Sequence, residues 1–423
     1  MAAAALTLTL LAIALTVTGL ALLWRTGYLI SLFSPVLGVF LLAILPSPLF
    51  YTLGGSEFRS FSPDAVLHFS LVCLVYASLL LFSTLLYVRV RQRRWVLSCL
   101  TNRTLARISN LGILAAVVIS LAVTGLILQS LGSIALWNLL LLVRPSELFT
   151  RADRLAGQGS YLLSVVTMLV IPSALVAAIR RTRHPPLMVM AGLAALLVSA
   201  VTLHKTPVIL IAVFLLLYVP APRGLAVRTL VTWGPVLLVL FFGWYVGVKW
   251  YFTSGAGVFY DSLGQAAYSF GRRLILSQGV AGLAGFDVYN PTLFDGIPIS
   301  DVAGYKRVLY SYIYRVDGGS VTTLFLFDLV LRYGWLVATA FGFTVAIGFS
   351  VWAALLDNAY HATRDTAVGF LAYPTFWFAC LLSASNLGST VPRMLPFMIF
   401  VLLLLGVHLS AGWNDLVSRR RWV

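Results

Sequence analysis

The sequence predicts an all-α, polytopic integral membrane protein with about 11 transmembrane helices, and three observations lead there. Only 10% of its 423 residues are charged while 60% are hydrophobic, against about 25% charged residues in a soluble domain. Apolar runs close to the roughly 20 residues needed to cross a bilayer recur along the whole chain. Between them stand short polar breaks, and the cations concentrate in alternate breaks. No stretch is left over for a soluble domain, so a single polytopic membrane domain is expected over 1–423.

Taken in order, Ala2 to Leu23 lacks a basic leader and runs directly into Trp24-Arg25. It therefore reads as the first span rather than a signal peptide. Further spans are expected near 28–50, 65–88, 109–130, 160–179, 187–203, 206–220, 229–248, 334–356, 367–386 and 393–411. One alternating set of breaks holds 16 cations, from Arg25 through Arg89–Arg94 to Arg419–Arg421, against three acids including Asp357; the opposite set holds 13 cations against ten acids. The basic set marks the cytoplasmic side. The C-terminus is then cytoplasmic and the N-terminus outside. The longest hydrophilic stretch, about 249–333, becomes an extracytoplasmic loop between helices 8 and 9. The net charge of +16 reads as a topology signal at membrane edges, not as a nucleic-acid footprint. Cys73, Cys99 and Cys380 read as packing residues.

The informative residues lie on the outer side. After the fourth span, Trp137, Leu140, Leu141 and Val143 precede Arg144, Arg151 and Arg154, a pattern that fits an amphipathic segment lying on the membrane. His204-Lys205 sits between two short apolar runs, where an ionisable group is a functional candidate. The long loop sets Lys249, Arg272, Arg273, Lys306, Arg307, Arg315 and Arg332 among tyrosines at 251, 260, 268, 289, 305, 310, 312 and 314. Guanidinium forks grip phosphate oxygens in pairs, and aromatic faces stack on sugar rings. A single interfacial arginine ordinarily snorkels to a headgroup, so the weight falls on the cluster. Arg59, in the first loop, reads as a surface cation outside it.

Absences narrow the chemistry. The first outer loop, FYTLGGSEFRSFSPDA, carries only Glu57 and Asp64, seven apart, and no outer loop has paired carboxylates. Metal-dependent transfer is unsupported, no cofactor is expected, and no phosphate-binding Gly-rich loop with Lys-Ser/Thr occurs. His68, His184, His204, His361 and His408 have no metal-ligand spacing and read as structural.

Several segments together resemble the Wzy-type oligosaccharide repeat unit polymerases, also called O-antigen polymerases. They are YLISLFSPVLGVFLLAIL in the second span, Arg144 followed by GQGSYLL, the HKTPVIL turn, FGRRLILS in the long loop, and SVTTLFLFDLVLRYGW before the ninth span. The resemblance implies a metal-independent glycosyltransferase at the periplasmic face of the bacterial inner membrane. Such an enzyme moves a growing glycan from one polyprenyl pyrophosphate to the hydroxyl of another lipid-linked repeat unit. Its partners would be polyprenyl-pyrophosphate-linked oligosaccharides, membrane lipid and a chain-length regulator protein. On this reading Arg272 and Arg273 stabilise charge on the leaving pyrophosphate, and Arg144, Arg154, Lys205 and Arg307 hold it. A base must take the acceptor proton; Asp261, Asp287, Asp295, Asp301, Asp317 and Asp328 are available, and Asp287 is carried forward. The alternatives are an O-antigen ligase, which resembles an enzyme using a histidine that this long loop lacks, another lipid-carrier glycosyltransferase, and a flippase or transporter. A transporter predicts internally repeated halves, and the sequence shows no half-to-half similarity.

Overall fold

The computed structural model of the chain describes residues 1–95, 115, 118, 122, 169–180, 210–211, 213–218, 226–253, 263–289, 291–297, 304–315, 321, 324–362 and 366–383. Helix α1 (Ala2–Arg25) buries Ala5, Thr9, Ala12, Thr16, Gly19 and Leu23. These positions alternate four and three apart, so small residues line one stripe and a second helix can come close. That helix is α4 (Pro63–Gln92): a Cβ on Gly19 would stand 3.3 Å from Thr84 Oγ1, and Thr9 Oγ1 lies 3.0 Å from Ser70 Oγ. Both hydroxyls donate to carbonyls of their own helices, at Ala5 and Val66, which satisfies them without water. Leu10, Leu11 and Val17 on the other face of α1 are exposed, as lipid-facing side chains are.

Between α1 and α4 the chain returns irregularly. Residues 26–33 are not helical, and α2 (Ser34–Val39) passes through a π-turn, Phe40–Ile44, into α3 (Pro46–Thr52). The span expected near 28–50 therefore starts later and is broken. Pro46 and Pro48 cannot donate backbone hydrogen bonds, and the wider turn lets Leu45 N–H reach the Phe40 carbonyl at 3.1 Å. Helix α4 starts cleanly because Ser62 Oγ accepts from Ala65 N–H at 3.2 Å, with Pro63 and Asp64 in the first turn, a capping arrangement suited to a helix N-terminus.

Farther on come α5 (Ile171–Arg180), a π-helical turn Phe214–Tyr218, and α6 (Ala226–Thr253). The stretch 249–333 differs from the hydrophilic loop expected. It contains α7 (Leu263–Ile275), α8 (Ser277–Val288) and α9 (Tyr305–Tyr314), and α8 is buried from Gly279 to Phe286. Glycines let α8 settle deep in the fold: a Cβ on Gly279 would stand 2.6 Å from the Ile44 carbonyl oxygen, and one on Gly285 would meet the Phe327 ring. Its 12 residues rise only about 18 Å, too short to register as a span.

Helix α10 (Phe325–Ala362) carries the ninth expected span but begins nine residues earlier and breaks at Gly334, whose φ is +76°. Residues 291–297 run beside the break. Trp335 N–H donates to Thr292 at 3.3 Å, Leu336 N–H to Leu293 at 3.0 Å, and Ile297 N–H to the Leu331 carbonyl at 2.6 Å, so the freed backbone groups are satisfied. A Cβ on Gly334 would stand 2.7 Å from the Phe294 carbonyl carbon. Gly334→Ala is therefore expected to cost about 1–3 kcal/mol through left-handed strain and the backbone clash. Thermal unfolding of the purified chain checks this; an unchanged midpoint would show that the break tolerates a side chain. Helix α11 (Thr366–Ser383) runs back along α10, tied to it by Trp352 Nε1 donating to Thr375 Oγ1 at 3.0 Å, and Tyr76 OH of α4 donates to the Leu382 carbonyl at 2.8 Å.

The described residues are all helix and connecting chain. Four stretches are long and apolar enough to cross a membrane: Ala2–Arg25, Ser34–Thr52, Pro63–Gln92 and Phe325–Ala362. The spans expected near 109–130, 187–203 and 393–411 lie essentially outside the described residues. Helices α1, α4 and α10 run in the same direction. The loop 53–62 and helices α7–α9 gather at their N-terminal end, and Arg91, Asp357 and Asn358 at the other.

Candidate functional site

The short loop 53–62, between α3 and α4, organises the N-terminal end of the bundle. Its Glu57 carboxylate accepts from Arg272 Nη1 at 3.0 Å and from the Tyr268 hydroxyl, both on α7. The Arg272 guanidinium also stands 4.9 Å from the Phe58 ring centroid, and Phe58 packs edge-on to Tyr314 of α9 at 5.7 Å. Next along the loop, the Arg59 guanidinium lies 3.8 Å over the Tyr312 ring, and its Nη1 donates to the Tyr312 carbonyl at 3.4 Å. The Tyr312 hydroxyl donates to Asp287 Oδ2 at 2.5 Å, and Ser62 N–H donates to Asp287 Oδ1 at 3.1 Å. Ten residues of loop thus join α7, the end of α8, and α9.

Charge is shared along this chain of contacts. Hydrogen bonds from Tyr268 and then Arg272 hold the Glu57 carboxyl below its ordinary range. At Asp287 burial acts upward, but hydrogen bonds from Tyr312 and Ser62, with the Arg59 charge, outweigh it and the net shift is downward. Burial and then the Asp287 hydrogen bond raise Tyr312. A depressed carboxylate stabilises the fold above its unfolded pKa, and that contribution is lost as pH falls through the depressed value. Asp287→Asn is accordingly expected to reduce the drop in thermal midpoint between neutral pH and about pH 3 relative to the unsubstituted chain. Identical pH profiles would mean that Asp287 titrates alike folded and unfolded.

Arg272 and Asp287 thus meet through loop 53–62, and Arg307 is exposed on α9. Arg273 follows Arg272 on α7. Arg144, Arg154 and Lys205 lie outside the described residues, as do Asp261, Asp301 and Asp317. Asp295 is exposed in a turn with Thr292, and Asp328 is buried beside Lys306 and Arg332. Sequence reasoning missed Glu57, Phe58 and Arg59, and Arg59 belongs to the cluster. The signal was present: opposite charges flank an aromatic residue in a loop otherwise poor in charge. Among the described residues no group of three or more metal-ligating side chains occurs.

A second polar cluster lies at the other end of the bundle. Asp357 on α10, assigned from the sequence to a connecting loop, is fully buried. It accepts from the Leu32 N–H at 3.1 Å, the Tyr87 hydroxyl at 2.6 Å and the Tyr218 hydroxyl at 2.5 Å. Beside it Arg91 donates to Asn358 Oδ1 at 2.6 Å and stacks 4.8 Å over Tyr28. These bonds tie α4, α10, the Phe214–Tyr218 turn and the 26–33 connection together.

The architecture defines an all-helical membrane protein with a cation-aromatic cluster at one end. Comparison with family models, curated proteins and solved structures gives no match.

Proposed function

We propose that the chain is a polymerase of the Wzy type, joining polyprenyl-pyrophosphate-linked oligosaccharide repeat units into a bacterial surface polysaccharide. One observation carries the reading: a ten-residue loop gathers Arg272, Arg59 and Glu57 with Phe58, Tyr268, Tyr312 and Tyr314 at one end of an apolar bundle. That arrangement suits a substrate whose lipid tail lies in the membrane, whose pyrophosphate needs guanidinium donors and whose sugars need aromatic faces. Pyrophosphate is already a good leaving group, so fixed cations that stabilise the departing charge are the main chemical requirement. Asp287, committed to two hydrogen bonds and held below its usual range, is a weak proton acceptor; we assign it to positioning Tyr312 and α9.

In this reading the chain has eleven spans in the bacterial inner membrane, its N-terminus and the loop 53–62 lie outside, and its C-terminus is cytoplasmic. A membrane-impermeant thiol reagent is expected to label Phe294→Cys in intact spheroplasts, since that side chain is 67% exposed, while a reporter fused after Arg421 is active in the cytoplasm. Failure of Phe294→Cys to label until the membrane is opened would invert the topology.

The activity test uses the purified chain in liposomes with lipid-linked repeat units. A polymer ladder is expected, and it is expected to persist with excess chelator. Strict dependence on magnesium or manganese would remove the guanidinium-based mechanism, and transfer to an acceptor other than a repeat unit would identify a ligase instead.

A further inference from the structure

Away from loop 53–62, two cations converge on one buried carboxylate, with a tyrosine ring beside them. Lys306 Nζ of α9 stands 3.1 Å from Asp328 Oδ1, and Arg332 Nε of α10 stands 3.5 Å from Asp328 Oδ2. The Tyr305 ring packs against both, 5.4 Å from Lys306 Nζ and 5.7 Å from the Arg332 guanidinium carbon. Asp328 is wholly buried, Tyr305 and Lys306 nearly so. Arg332, with 16% of its side chain exposed, is the one opening among them.

The charges and donors do not balance. Two cations face one carboxylate, and although both lie within ion-pair distance, Lys306 Nζ, Arg332 Nε and the Tyr305 hydroxyl, three donors against the one acceptor Asp328 Oδ1, are buried without an aligned hydrogen-bond partner among the described residues. Buried donors are nearly always hydrogen-bonded, and here three unsatisfied ones belong to residues packed on one another, with an excess of positive charge once Lys306 is protonated. We infer that Tyr305, Lys306 and Arg332 form a subsite for a phosphate-class oxyanion, entered past the Arg332 side chain, with Asp328 holding the two cations in position. A tetrahedral oxyanion offers enough acceptor oxygens for an ammonium, a guanidinium N–H and a phenol at once.

Lys306 lies six positions before Tyr312, roughly 9 Å along α9, so the subsite is separate from the loop 53–62 cluster. The inference does not depend on the polymerase reading. Among the described residues, the groups facing Lys306 are Tyr305 on its own helix and Asp328 and Arg332 on α10; Asp287 of α8, which also packs on α9, is engaged by Tyr312 at the far end. Burial and then the Arg332 charge push the Lys306 ammonium down to about 6. An arriving anion favours the charged ammonium, so binding above that pH takes up a proton, and affinity falls by up to tenfold per pH unit.

Sulfate is the probe, because its charge is constant between about pH 5 and 8 and only the protein titrates. Its binding is measured by calorimetry on the full chain in nanodiscs of neutral phosphatidylcholine. The expected result is tight binding near pH 5.5 that weakens at least tenfold by pH 7.5. Lys306→Met is expected to abolish that slope, Arg332→Lys to weaken binding about tenfold, and Arg25→Lys, exposed at the other end of the bundle, to change nothing. Tyr305→Phe, which removes one hydroxyl and leaves the ion pairs intact, guards against variants that misfold and is expected to weaken sulfate binding several-fold. No sulfate binding at pH 5.5, an adventitious pH-independent affinity, or a wild-type affinity in Tyr305→Phe would each overturn the site. The source of the oxyanion follows from competition. Displacement of sulfate by anionic phosphatidylglycerol in the disc identifies a lipid headgroup, and displacement by inorganic pyrophosphate alone identifies a soluble phosphate.

Discussion

Arg272→Lys is expected to lower polymer formation about tenfold to a hundredfold at equal membrane abundance, although it keeps the charge. A lysine ammonium has neither the planar fork nor the fixed donor spacing that grips two phosphate oxygens, and lost donors at a developing negative charge cost effects of this size. Arg272 is also the partner of Glu57 at 3.0 Å, so a purely architectural role must be separated. Glu57→Gln supplies the comparison. It removes the charge of the partner and keeps its shape, so an arginine that acts on pyrophosphate stays functional or gains affinity when a competing carboxylate is neutralised. If the pair merely fastens α7 to the loop, both variants should lose activity equally, and the double variant should lose no more than either alone. Arg59→Lys is not a neutral control, because Arg59 stacks on Tyr312. Arg25→Lys serves instead. A wild-type ladder from Arg272→Lys would move the active site elsewhere, with Arg144 and Arg154 the next residues to test.

The largest loss of stability is expected from Asp357→Ala. The carboxylate is fully buried and accepts three hydrogen bonds from three separate parts of the chain. Removing it strands two tyrosine hydroxyls and one backbone N–H in an apolar bundle, and breaking one side of a buried charged network costs about 3–5 kcal/mol. The chain should melt at much lower temperature in detergent, with reduced membrane abundance. Asp357→Asn keeps one acceptor oxygen and should lose less, and Tyr218→Phe, which deletes a single donor, should lose about 1 kcal/mol. Equal midpoints for Asp357→Ala and the unsubstituted chain would show that water or another group satisfies the tyrosines.

Much of this was legible in the sequence because lipid constrains composition more strictly than water does. A charged fraction of 10% and recurring apolar runs leave helices as the economical way to satisfy every backbone group. The runs near 4–23, 65–88 and 367–386 coincide closely with α1, α4 and α11. The tyrosines and arginines of the long stretch were also visible, whereas the break of α10 at Gly334 was not.

What sequence pattern by itself determined was an all-helical, membrane-spanning fold class and the apolar runs that become α1, α4 and α11. Which polar residues meet was decided only by tertiary structure, because pairing depends on contacts between distant positions. Glu57 and Arg272 are 215 residues apart, and Leu32 and Asp357 are 325 apart; no local periodicity encodes either. Helix α8 shows the same limit from the other side. Twelve residues are too few to be read as a span, yet Gly279, Gly282 and Gly285 let it bury itself against residues 44–47, α4 and α10 respectively, and that burial brings Asp287 to the loop where Arg59 and Arg272 wait.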